Sequence, residues 1–264
     1  MQDGDAAERL SREEEKMGSG PLFVLGANFG PCRDESFREG FADYFGRCGG
    51  VTFRDRASFG EFRHCGRISY APDVVLNLKA VPEPADGTVL ISVIDLTHRP
   101  ELAAWQERYE RFVVRLCKAC IRQGKRPVLL SFCEGEGDGR AVSRILQTLG
   151  PDRPAEALFY RGDTAPILRA FARAERVIAT RFHAMILAMC YKKPLFALCY
   201  SEKMTHVLED LEFSGFCRIP ELPEHSPEEL LNRCTLPQGL DAYKQAAQEQ
   251  FVQLDDFLQE AGTW

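Results

Sequence analysis

An α/β fold built on parallel strands is what this sequence predicts, and three observations carry it. Short apolar runs alternate with helical patterns along most of the chain, which suits parallel strands joined by crossover helices. The runs are nearly continuous in apolar residues, as expected of strands covered on both faces. One long amphipathic segment, residues 101–123, separates two of them with a clear helical period.

In chain order, residues 1–20 are polar and charged with glycines at the end, and read as a frayed helix or a disordered tail. The folded part is expected from Pro21. Strands are expected at 22–25, 51–53, 88–93, 127–132, 157–160, 176–178 and 194–198. The helix over 101–123 carries Trp105, Tyr109, Phe112, Val113, Leu116, Cys120 and Ile121 on one stripe, and Gly124 is placed to end it. Residues 79–87, with Pro82 and Pro84 and little to pack, read as a linker. Gly162-Asp163-Thr164 starts the helix before the strand at 176. Ser226, Pro227 and Glu229 form a capping-box start with proline in the first helical position. A last helix from about Leu240 places Leu240, Tyr243, Ala247, Phe251, Leu254 and Leu258 on one side. The division is therefore a first domain over 21–82 and a second over 87–264, with the last helix packing back on the first.

Composition removes several function classes. The chain of 264 residues is 45% hydrophobic and 27% charged, ordinary for a globular protein. A formal charge of −6 with dispersed Lys and Arg gives no footprint for nucleic acid or an anionic membrane, so an anionic ligand needs a local cationic pocket. No stretch approaches the roughly 20 apolar residues of a membrane span, the N-terminus is too acidic for a signal peptide, and a cytoplasmic protein is expected. Most of the ten cysteines, Cys190 and Cys199 among them, lie in apolar runs where Cys packs as a small hydrophobe. Cys117 and Cys120 sit in the helical pattern with no second pair at zinc spacing. No G-x-G-x-x-G or P-loop lysine follows a strand, and His64, His98, His206 and His225 are scattered without an HExxH pattern, so dinucleotide, ATP and hydrolase readings lose their support. Neither cofactor nor metal is expected.

The chemistry concentrates in residues 176–203, which read strand, polar turn, buried helix, strand, polar turn. The two turns open on one edge of the sheet, where parallel strands end and ligands bind. Thr180 stands where an N-cap belongs, which places Arg181 and His183 in the first helical turn while Phe182, Met185, Ile186 and Met189 face the core. A helix start with a guanidinium and an imidazole suits phosphate or carboxylate. Lys203 follows the next strand and brings a second positive charge. The alternative is that Arg181 pairs with an acid and His183 caps its helix. Elsewhere, Arg54 and Asp55 end a strand of the first domain, Arg54 being either a donor contact or one side of a local salt bridge. Asn28 follows the first strand in a turn shaped by Gly30 and Pro31. Glu134, Glu136 and Asp138 alternate with glycines; Asp138 reads as a helix cap, and Glu134 and Glu136 as possible contacts for sugar hydroxyls.

Arg181-Phe182-His183-Ala184, followed by an apolar helix, Lys193-Pro194-Leu195, Tyr200 and Lys203, resembles the signature of the polysaccharide pyruvyl transferase family. Gly26-Ala27-Asn28-Phe29-Gly30-Pro31 with Asp34, Phe53-Arg54-Asp55 with Ser58, Ala71-Pro72-Asp73 and the run from Ser131 to Asp138 are similar too, so the resemblance covers most of residues 21–215. It implies two Rossmann-like domains of glycosyltransferase-B type, with an abbreviated first domain because the family's Gly-Asp-containing loop after the first strand is largely absent. It also implies phosphoenolpyruvate as donor and a glycan or lipid-linked saccharide as acceptor. Ketal formation requires protonation of the enol methylene, attack by sugar hydroxyls and loss of phosphate. His183 is then the proton shuttle, Arg181 the bidentate anion clamp, Lys203 and Arg54 further donor contacts, and Asn28, Glu134 and Glu136 acceptor contacts. Two other readings keep the same site: a nucleotide-sugar glycosyltransferase, in which Arg181 and Lys203 hold a diphosphate, and a glycan-binding member without turnover.

Overall fold

The computed structural model describes residues 3–18, 20–30, 32, 34–152 and 155–262. The chain forms two compact units, one of Met1–Asn77 with Asp241–Trp264 and the other of Leu78–Leu240.

The first unit holds helix α1 (Asp3–Glu14), strand β1 (Phe23–Ala27), α2 (Glu35–Arg47), β2 (Gly50–Phe53), α3 (Arg56–Phe62) and β3 (Ile68–Tyr70). Its sheet is parallel in the order β1-β2-β3. Asp34 starts α2 by accepting from the Phe37 N–H, and Asp55 starts α3 by accepting from the Ser58 N–H and hydroxyl. Phe37, Phe41, Tyr44 and Phe45 of α2 recur at helical spacing and meet Phe29, Phe53 and Phe62. Phe29 meets Phe62 edge-on at 4.7 Å, and Phe37 meets Phe41 at the same separation. The stretch before Pro21 is helical over Asp3–Glu14, because Leu10 and Met17 find partly buried places against this aromatic core.

The second unit holds β4 (Thr88–Val93), α4 (Gln106–Arg122), β5 (Arg126–Ser131), α5 (Asp138–Leu149), β6 (Glu156–Phe159), α6 (Ala165–Arg173), β7 (Arg176–Ala179), α7 (Phe182–Cys190), β8 (Leu195–Cys199), α8 (Glu202–Asp210), β9 (Phe216–Arg218) and α9 (Pro227–Asn232). Its six strands are all parallel in the order β6-β5-β4-β7-β8-β9. Renumbered within the unit this is 3-2-1-4-5-6, the doubly wound order, whose direction of winding reverses between β4 and β7. Val89, Ile91 and Val93 pack with α4 and α5 in one core cluster. The alternate residues, such as Leu90 and Ser92, are equally buried on the other face, where α6 meets β4 and α7 meets β7. Both faces of the sheet are covered, which explains the continuous apolar runs.

Local details differ from the sequence expectations in physically readable ways. The stretch 79–87 is tied to the second unit: the Glu83 and Asp86 N–H groups donate to the Ala172 and Arg173 carbonyls. Ser226 does accept from the Glu229 N–H, but the Glu229 carboxylate turns to His225 and Arg233 instead of completing the box. The last helix is broken into α10 (Leu240–Ala246), a 3-10 turn (Ala247–Phe251) and α11 (Val252–Glu260). The tighter turn shifts the phase, so Gln250 is fully buried while Phe251 is 36% exposed. The buried amide is used completely. Gly26, at φ +64°, bulges out of the β1–β2 ladder. Its N–H donates to Gln250 Oε1 at 2.8 Å, and Gln250 Nε2 donates to the Ala71 and Pro72 carbonyls at 2.6 and 2.9 Å. All ten cysteines carry free thiols. Burial pushes the Cys120 and Cys217 thiols up to about 12, keeping them protonated. Among the described residues no helix is long and apolar enough to cross a membrane.

Candidate functional site

The carboxyl ends of β4 and β7 lie side by side where the winding of the second sheet reverses, and the chain is organised there by buried hydroxyls. Ser92 Oγ, on β4, accepts from the Thr180 and Arg181 N–H groups at 2.7 and 3.0 Å. The Tyr109 hydroxyl from α4 bonds Thr180 Oγ1 at 3.1 Å and accepts from the Ile94 N–H. Thr180 is therefore consumed at the strand end, and the N-cap position of α7 falls one residue later, on Arg181, in extended conformation. His183 is the second residue of α7 and is exposed, whereas Phe182, Met185, Ile186 and Met189 are buried.

Arg181 is 7% exposed and turns its side-on edge to one carboxylate. Its Nε donates to Asp138 Oδ2 at 2.9 Å and its Nη2 to Asp138 Oδ1. Asp138 has no exposure and is itself pinned by the Asp95 and Cys133 N–H groups at 3.2 and 3.0 Å. It occupies the first position of α5, after Gly137, and serves Arg181 instead of capping its own helix. Arg181 thus pairs with an acid, as the alternative reading had it, with a partner 43 residues earlier. The third Arg181 contact runs from Nη1 to Glu136 Oε2 at 2.7 Å. Burial lowers the Arg181 pKa, but the hydrogen bonds and charges of Asp138 and Glu136 outweigh it and the net shift is upward.

Arg99, which sequence reasoning passed over, completes the constellation. Its Nη2 donates to the same oxygen, Glu136 Oε2, at 2.6 Å, and its guanidinium lies over the Tyr200 ring at 4.3 Å. Arg181 and Lys203 also face that ring, at 5.9 and 5.8 Å. No ion pair of Lys203 is present among the described residues. Two polar atoms here are shut from solvent without a hydrogen-bond partner among the described residues, Arg99 Nε and Ser201 Oγ, the latter beside Tyr200 in sequence. Three cations around one aromatic ring, with unspent donors, have the chemistry to hold an anion. Glu136 sits among them, its Oε2 engaged by two guanidiniums; burial raises its pKa, and the bonds from Arg181 and Arg99 more than reverse this. Glu134 is exposed on the same turn. Arg99 was detectable in principle: it lies in the loop after β4, at the strand ends where ligands bind.

The other predicted residues belong to the first unit. Arg54 is not an open cation. It follows β2 and donates from Nη1 to Asp73 Oδ2 at 2.8 Å and from Nη2 to Asn28 Oδ1 at 2.7 Å, tying together the segments after all three strands. Gly30 shapes the turn after Asn28 at φ +90°, and Pro31 lies outside the described residues.

A family model described as polysaccharide pyruvyl transferase matches residues 11–202. Solved structures with a similar fold include TarM, at 12% identity and TM-score 0.56, where the match covers 96% of this chain and 53% of that one. Weaker likenesses are the ADP-heptose LPS heptosyltransferase II of E. coli, at 15% identity and TM-score 0.43 over 92% of this chain and 82% of that one, and the calicheamicin glycosyltransferase CalG4, at 13% identity and TM-score 0.47 over 93% and 66%. The chain spans about half the length of TarM. The fold is of the glycosyltransferase-B type.

Proposed function

The chain belongs to the polysaccharide pyruvyl transferase family, and from that premise we propose that it transfers the pyruvyl group of phosphoenolpyruvate to two hydroxyls of a sugar in a cell-surface glycan or its lipid-linked precursor, in the cytoplasm. One observation carries this reading: Arg99, Arg181 and Lys203 converge on Tyr200 at the switch point of the second sheet, beside the exposed His183. Phosphoenolpyruvate presents a carboxylate and a phosphate, and such a cluster can hold both.

In the proposed reaction a proton is delivered to the methylene carbon of the donor, the adjacent carbon becomes electrophilic, and one sugar hydroxyl adds to it. The second hydroxyl then displaces phosphate. The two hydroxyl protons balance the methyl group formed and the phosphate released. His183 is the proton carrier, since an imidazole changes charge near neutral pH. Lys203 is assigned to the departing phosphate and Glu134 to acceptor hydroxyls.

A second reading, an anion-binding member without turnover, is favoured by the engagement of Arg181 with Asp138 and Glu136. The experiment is thermal stabilisation by phosphoenolpyruvate against phosphate, pyruvate and nucleotide-sugars in the native chain and in Lys203→Ala, followed by phosphate release with acceptor saccharides. Selective stabilisation by phosphoenolpyruvate, reduced in the variant, with phosphate release supports transfer. Stabilisation without release supports the second reading, and stabilisation by nucleotide-sugars alone replaces both with glycosyl transfer.

A further inference from the structure

Resting on the anion site just assigned, we propose that Glu136 is a resident counter-ion of that site, displaced from Arg99 when an anionic donor takes the side-on edge of the Arg99 guanidinium. Three features of the geometry point this way.

The first is a shared oxygen. Glu136 Oε2 alone receives both Arg99 Nη2 and Arg181 Nη1, at 2.6 and 2.7 Å, and so stands between the two guanidiniums where a ligand oxygen would bring them together. Without an anion there, two arginines would face each other beside Lys203, and like charges so placed repel.

The second is an unused edge. A carboxylate or phosphate grips an arginine best through two parallel bonds, to Nε and one Nη. On Arg181 that edge is filled by Asp138. On Arg99 it is half filled: Nη2 reaches Glu136, while Nε is buried and unpartnered among the described residues. A buried donor left without a partner is costly, and a two-oxygen ligand on this edge would satisfy Nε while taking Nη2 from Glu136.

The third is a difference in mobility of the two acids. Asp138 has no exposure and holds two backbone N–H groups. The Glu136 side chain is 45% exposed and rides on a three-residue 3-10 turn, Glu134–Glu136, flanked by Cys133 and by Gly137 at φ +86°. Beyond Gly135 there is open space. Swinging Glu136 into solvent breaks two bonds and leaves Asp138 on Arg181 in place, so the site exchanges one anion for another and its net charge stays low in both states.

The consequence is that Glu136 weakens donor affinity in the resting protein. Calorimetric titration with phosphoenolpyruvate, and separately with inorganic phosphate, is the test. Glu136→Gln should bind phosphoenolpyruvate about tenfold more tightly than the native chain, a coupling of ordinary size between two ligands competing for one site. Unchanged or weaker affinity would show that Glu136 braces the arginines for the ligand, and overturns the proposal. If neither protein binds either anion, the donor site itself fails along with it; if the native chain binds and the variant gains nothing, only the counter-ion role fails. A measurement on the native chain guards against a variant that folds poorly. Saturating phosphoenolpyruvate should speed amide hydrogen exchange over residues 133–137 as the turn is released; slower exchange there overturns the proposal independently.

Discussion

Arg54 Nη2 donates to Asn28 Oδ1 across 2.7 Å, and this single bond fixes what Asn28 can offer a ligand. With one of its oxygen's two lone pairs taken, the amide keeps both N–H donors and a single acceptor site, so Asn28 has more to donate to a ligand than to accept from it. The same guanidinium holds Asp73, whose side chain is 3% exposed. Arg54→Ala should therefore destabilise the first unit by about 3 kcal/mol, the cost of leaving a buried charge unpaired. Chemical denaturation checks this, and the double variant Arg54→Ala/Asp73→Ala should lose less than the two single losses added together.

Arg181 and His183, two residues apart, should separate binding from turnover. Arg181→Ala removes the partner of the unexposed Asp138, so it should lower stability by about 3 kcal/mol and also weaken phosphoenolpyruvate binding. His183 is exposed, so His183→Ala should change stability by less than about 0.5 kcal/mol. Under the proposed chemistry it should slow phosphate release by about 100-fold or more while donor affinity holds. Denaturation, calorimetry and turnover on the same preparations compare the two; a His183→Ala protein with native turnover removes it from the mechanism.

The strands were legible because burial on both faces writes itself as unbroken apolar runs: the runs at 88–93 and 176–178 lie in strands, and the run at 194–198 is offset by one residue from Leu195–Cys199. Ile68–Tyr70 and Phe216–Arg218 were not, since three residues carry no period and a serine or an arginine stands in each. In the proposed site, Arg181, His183 and Lys203 could be singled out through the strand-turn-helix pattern around them. The place of Arg99 after β4 could be read, but its partners and the role of Asp138 were hidden because both depend on β4, β5 and β7 becoming neighbours, a relation that local sequence does not record.

Acid should unfold this protein partly through Asp95. Burial pushes its carboxyl up, but hydrogen bonds from the Thr97 side chain and N–H and from Arg144 outweigh burial and hold it below the usual range. A folded-state pKa below the unfolded one means that the unfolded chain binds more protons in between, so stability rises with pH there. This contribution should be fully present above the unfolded value of about 4 and disappear as pH falls through the lower folded value. Unfolding midpoints between pH 7 and pH 2 test it: Asp95→Asn should flatten the acid limb, and an unchanged slope would assign the loss to other carboxylates.

Gln250 and Phe251 should reverse the order of importance that helical periodicity assigns them. Periodicity turns Phe251 toward the core, but the 3-10 turn at Ala247–Phe251 rotates Gln250 inward instead. The Gln250 amide then answers three backbone groups: the N–H of Gly26, freed by the bulge, and the carbonyls of Ala71 and Pro72. Gln250→Ala removes all three bonds at a site with no solvent exposure, where each stranded group costs about 1 to 3 kcal/mol unless water enters. A loss of about 3 kcal/mol is expected, against about 1 to 2 kcal/mol for the partly exposed Phe251→Ala. Gln250→Glu adds a second prediction: its carboxylate can still accept from Gly26, but it sets an oxygen against two carbonyl oxygens, so it should be at least as harmful as alanine near neutral pH. If Phe251→Ala proves the more damaging change, the turn does not set the phase of the returning segment and the regular helical period does.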